Sequence, residues 1–145
     1  MLSISVEEFL IWKKKQLSKG GDQQSFAILI DCVGGISSRD LNLMSINLEC
    51  KLHLKKKLEF LESVWDDHLL KSCPIQYLCG ITFWRDLKLK VTNKVLIPRS
   101  ETELIVDIVF NIFRKKSEKL FFAELGTGSG AISIALALAL SLIHI

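Results

Sequence analysis

The chain has 145 residues, of which 49% are apolar and 24% charged, and its formal net charge is only +3. This composition excludes a disordered polymer and supports one ordinary domain or two small ones, each with a buried core. The basic runs Lys13–Lys15, Lys55–Lys57 and Arg114–Lys116 are short, and acids flank two of them (Glu59 and Glu62; Glu118), so they read mostly as solvated helix faces and direct nucleic-acid binding is not expected.

Residues 1 to about 72 read as helical. Ser5 is a candidate cap for a first helix with Val6, Phe9, Leu10 and Leu17 on one face and Glu7 and Glu8 in its first turn; Gly20 and Gly21 end it. Phe26 to Val33 fits either a buried helix or a strand, because periodicity cannot separate the two over so short a run. Gly34 and Gly35 break it, and Ser37 or Ser38 is placed to cap the next turn. From Leu48 to Leu70, apolar residues recur at spacings of three and four, which predicts one long amphipathic helix.

Between Cys73 and Pro98 the texture changes. Ile81–Trp84 and Leu87–Val91 predict two strands joined at Arg85-Asp86. After Pro98, Ser100 and Thr102 are candidate caps of a helix carrying Leu104, Ile105, Ile108, Val109, Ile112 and Phe113, closed by residues 115–118. An apolar strand from Phe121 then ends at Glu124, followed by Gly126, Gly128 and Gly130 and a helix from Ala131. The apolar run to Ile145 is short for a membrane span and suits a buried helix. Cys32, Cys50, Cys73 and Cys79 show neither metal-ligand nor disulfide spacing, and no basic-then-apolar leader opens the sequence, so no metal, no membrane and a cytoplasmic setting with reduced thiols are expected.

The glycine turn carries the chemistry. Alternate glycines turn the backbone sharply and leave no side chain between peptide N–H groups and a ligand, as nucleotide-like cofactors require. Gly126, Gly128 and Ala131 also satisfy the dinucleotide pattern, so an NAD-dependent oxidoreductase remains an alternative. Glu124 favours a different occupant: a carboxylate there repels a pyrophosphate but pairs with the ammonium of S-adenosylmethionine. The bland alternative is a solvated strand end beside a tight connection.

Pro74-Ile-Gln-Tyr-Leu-Cys-Gly80, Phe83-Trp84, Val95-Leu-Ile-Pro-Arg-Ser-Glu-Thr-Glu103 and Leu125-Gly-Thr-Gly-Ser-Gly-Ala131, in that order, resemble the signatures of bacterial release-factor glutamine methyltransferases. The resemblance runs from about residue 74 to about residue 138. It implies methyl transfer from S-adenosylmethionine to the glutamine side-chain amide in the Gly-Gly-Gln loop of peptide chain release factors. It also implies an α plus α/β architecture: an N-terminal helical bundle (1–72), a β-hairpin linker (73–98) and the first βα unit of a truncated Rossmann-like class I methyltransferase domain (99–145). Glu124, Gly126, Thr127, Gly128, Ser129 and Gly130 would form the first cofactor motif, with Arg99 and Glu103 beside it. Ser100 stands where the family commonly has proline.

Arg99 has two readings, a bidentate partner for a carboxylate of the cofactor or a structural pair with Glu103. Tyr77, Phe83 and Trp84 read as packing residues before ligand-stacking ones. The family's Asn-Pro-Pro-Tyr loop, which holds the acceptor amide, has no counterpart here, so no catalytic residue is assigned. The chain is expected to be a truncated, frameshifted or partial product, inactive and poorly stable outside its helical bundle. A third reading is a non-catalytic module that binds a translation factor.

Overall fold

The chain divides into two units, Met1–Cys79 and Gly80–Ile145. The computed structural model describes residues 2–37, 39–40, 43, 50–115 and 121–140.

The first unit opens on strand β1 (Leu2–Ser5), which runs directly into helix α1 (Val6–Ser18). Ser5 caps that helix as expected, its hydroxyl oxygen accepting the Glu8 N–H at 3.1 Å. The buried face is Val6, Phe9, Trp12 and Gln16, with Leu10 and Leu17 packed at its margin. Helix α2 (Gln23–Leu29) starts at Asp22, whose carboxylate accepts from the Ser25 N–H at 2.8 Å and the Ser25 hydroxyl at 2.7 Å. The Ser25 backbone bond, with the hydroxyl second, holds the Asp22 carboxyl below its usual range. The helix widens into a π turn over Ile30–Gly34 and stops at Gly35, at φ 76°. Phe26 to Val33 is therefore helical. Ser37 caps the following turn, accepting the Asp40 N–H at 3.2 Å.

The single long helix expected over Leu48–Leu70 does not form. Residues 44–49 lie outside the described ones; Lys51–Leu54 is strand β2, antiparallel to β1 with Leu2 opposite Leu54 and Ser5 opposite Lys51. Leu52 and Leu54 are buried while Lys51 and His53 are exposed, the period-two alternation of a half-buried strand. Helix α3 (Leu58–Lys71) begins only after Lys55–Lys57. Lys19 at the end of α1 binds Glu62 at 2.7 Å and Asp66 at 2.8 Å on α3. A short helix, α4 (Ile75–Cys79), buries Ile75.

Trp65 of α3 lies at the centre, fully buried against Phe26, with ring centroids 5.3 Å apart at 82°. Gly21, at φ 83°, passes beneath its indole, and a Cβ there would sit 2.6 Å from the ring. Gly21→Ala therefore combines a left-handed backbone penalty with a clash. We expect a loss of about 2 kcal/mol, measured by urea unfolding; an unchanged midpoint would contradict the packing.

The second unit starts with the expected hairpin, β3 (Ile81–Trp84) and β4 (Leu87–Lys90), with Trp84 opposite Leu87. Its turn places Arg85 at φ 50°. One hairpin face contributes Trp84 and Leu89 to a core shared with Val106, Ala131, Ala135 and Leu136. The other carries Phe83, with the Lys88 ammonium 5.7 Å from its ring centroid. A 3-10 turn at Ser100–Thr102 leads into α5 (Glu103–Phe113). Neither expected hydroxyl caps it: no side-chain cap bond is made, and the Ser100 hydroxyl instead points to Glu101 at 3.3 Å. The closing residues 116–118 lie outside the described ones.

No strand forms at Phe121–Glu124. Parallel pairing needs a neighbouring strand, and among the described residues the strands are confined to the pairs β1–β2 and β3–β4. The segment has no regular secondary structure and is largely exposed. The architecture is thus mixed helix with small antiparallel strand pairs, compatible with an α+β class. The last helix, α6 (Ala131–Ala139), follows Gly130 directly. Among the described residues no helix is long and apolar enough to cross a membrane.

Candidate functional site

The glycine turn forms as its sequence requires. Gly126, Gly128 and Gly130 adopt φ of 72°, 54° and 76°, a left-handed backbone that L side chains enter only with strain. The Gly130 N–H closes the turn onto the Thr127 carbonyl at 2.7 Å, and the Ile134 N–H continues to the Gly130 carbonyl at 2.9 Å. A Cβ at Gly126 would meet nothing within 4 Å, and one at Gly128 only the Gly126 carbonyl at 3.9 Å. The outer face of the turn is open to an incoming group.

Glu124 is not a loose strand end. Its Oε2 accepts the Ser133 N–H at 3.1 Å and also the Ser133 hydroxyl. With Gly130 as cap, Ser133 is the third residue of α6, so the carboxylate serves as a remote cap for a helix that has no side-chain cap of its own. A fixed negative charge at a helix N-terminus is favourable in itself. Beside it lies a pocket of about 580 Å³ walled by Ile105 and Val109 of α5, the 121–125 segment, and Ile132 and Leu136 of α6. Glu124 and Ser133 are the polar side chains in that lining; the glycines of the turn are not part of it.

Arg99 and Glu103 make their contacts with the hairpin. The Arg99 carbonyl accepts the Trp84 indole N–H at 2.8 Å, and its side chain is exposed. The cation that meets Glu103 is Arg85, whose backbone N–H reaches Glu103 Oε1 at 3.4 Å and whose guanidinium donates to the Glu103 carbonyl at 3.1 Å and to Asp107 at 2.8 Å. The Asp107 carboxylate raises the Arg85 guanidinium above its usual range. Of the two readings of Arg99, no pair with Glu103 is seen; the hairpin turn instead brings Arg85 against the first turn of α5, where its guanidinium pairs with Asp107. Trp84 is a core residue, as expected; Phe83 is exposed.

Ser133 and Arg85 are not singled out by spacing: Ser133 stands at the third helical position, where the capping box has Glu or Gln, with its serine or threonine at the cap itself. In the first unit, burial pushes the Cys79 thiol up to about 12, with Cys32 adding to the effect, which excludes a thiolate nucleophile there at neutral pH.

No protein-family model matches the chain. Curated relatives do. The release factor glutamine methyltransferase of Prochlorococcus marinus is 42% identical over 129 residues, covering 86% of this chain and 43% of that protein. That of Gloeobacter violaceus is 35% identical over 122 residues, 81% of this chain and 41% of its own length. That of Synechocystis is 40% identical over 97 residues, 62% and 32% respectively. The chain thus spans less than half the length of the curated relatives it matches. Across most of its residues, then, the chain is similar to release factor glutamine methyltransferases, matching in each a stretch shorter than half of that protein.

Proposed function

We propose that the chain supplies the cofactor-binding side of a methyltransferase that modifies the glutamine side-chain amide of peptide chain release factors, in the cytoplasm where those factors work. Residues 1–72 are read as its helical domain, 73–98 as a hairpin linker and 99–145 as the start of a Rossmann-like catalytic domain. The observation that carries the reading is the Glu124 carboxylate, held at the mouth of a turn of three left-handed glycines.

These residues fit S-adenosylmethionine, which supplies the methyl group when bound. The open face at Gly126 and Gly128 admits a ligand to within backbone distance, with Thr127 and Ser129 flanking it. The fixed Glu124 charge pairs with an ammonium and repels a pyrophosphate. Arg99 is exposed and remains a candidate for the ligand's carboxylate, with Glu103, whose Oε1 accepts the Arg85 backbone N–H at 3.4 Å, beside it. The oxidoreductase alternative is disfavoured by both the acid and the relatives.

Binding, not turnover, is the direct test, since no Asn-Pro pair occurs in the sequence to orient an acceptor amide. Calorimetric titration should show S-adenosylmethionine binding and no NAD binding. Binding of NAD alone would sink the proposal.

A further inference from the structure

Resting on the S-adenosylmethionine reading, we infer that Ser133 is a positioning residue for Glu124, setting how that carboxylate meets an ammonium-bearing ligand. Both polar groups of Ser133, the backbone N–H and the hydroxyl, converge on one carboxylate oxygen, Oε2. These two hydrogen bonds restrain the rotation of the carboxyl group, and among the described residues no donor meets Oε1. An ammonium therefore finds an acceptor already oriented and already charged.

The pocket wall strengthens the effect. Ile105, Val109, Ile132 and Leu136 line the same pocket as the pair, so a ligand that reaches the carboxylate from that side meets apolar surface beside it. A freely rotating glutamate at this position would have to be ordered by the ligand, at a cost in affinity. Serine meets both needs because it is the third helical residue, where the N–H is unpaired within the helix and a short hydroxyl reaches the same acceptor.

The test compares two ligands that share adenosine and sulfur but differ at the amino-acid end. S-adenosylhomocysteine carries the ammonium and carboxylate; 5′-methylthioadenosine lacks both. Amide NMR titration of the 145-residue chain at millimolar ligand should show a preference for S-adenosylhomocysteine. Ser133→Ala should lose about tenfold of that affinity with 5′-methylthioadenosine unchanged, and Ser133→Thr, which keeps the hydroxyl, should restore it. Ser133→Ala retaining the full preference, or weakening both ligands equally, would overturn the positioning role while leaving the cofactor reading intact. If the unsubstituted chain bound both ligands alike, the pairing of Glu124 with an ammonium would fail, and this inference with it.

Discussion

Trp65→Ala is expected to cost the first unit about 3–5 kcal/mol, enough to remove most of the stability of a unit this size. The indole is fully buried. It meets Phe26 edge-on and His68 at a tilt, with centroids 5.3 and 5.1 Å away, and it roofs Gly21. No neighbour is placed to collapse into the void, because Phe26, Trp12 and Leu61 are themselves fixed by other core residues. The lost hydrogen bond matters less. The indole N–H donates to the Gln16 carbonyl at 3.1 Å, but that carbonyl keeps the Lys19 N–H at 3.0 Å, so truncation leaves no orphaned acceptor. Cavity formation is thus the dominant cost, and Trp65→Phe, which retains much of the volume, should cost clearly less. Urea unfolding followed by far-UV circular dichroism measures both; equal losses for the two variants would contradict this ordering.

What was legible in the sequence was local. Ser5, the hairpin about Arg85-Asp86 and the glycine turn each depend on residues within a few positions of one another, and each formed. The strand pair β1–β2 joins Leu2 to Leu54 across most of the unit, and neither four-residue strand announces itself. Leu54, Leu58 and Leu61 keep the four-and-three spacing of a helix, which hides the period-two pair Leu52 and Leu54 that marks the strand. The segment at Phe121–Glu124 shows the converse: its composition is strand-like, but composition cannot provide a neighbour. At the candidate site the acid was recognised and its partner was not. The Glu124–Ser133 contact closes over nine residues only because three left-handed glycines fold the chain back, a geometry that spacing alone does not define.

Charge reversal at that acid is the sharpest probe of the site. Glu124→Lys removes both acceptor contacts to Ser133, places a cation at the N-terminus of α6 where the helix dipole opposes it, and sets like charge against a ligand ammonium. The three effects act in the same direction, so affinity for S-adenosylmethionine should fall by about a hundredfold or more, and α6 should lose amide protection. Glu124→Gln separates the contributions. Its amide oxygen still accepts from Ser133, so the helix should stay capped, but the charge is gone and a loss of about tenfold remains. If Glu124→Gln unfolded α6 as completely as Glu124→Lys, the carboxylate would be a structural cap whose charge matters to the helix alone. If Glu124→Lys bound S-adenosylmethionine at undiminished affinity, the acid would have no part in recognising the ligand. The expected ordering, with the lysine variant losing both helix and ligand and the glutamine variant losing mainly ligand, is what the proposed division of the carboxylate requires: one oxygen for Ser133, the other for an ammonium.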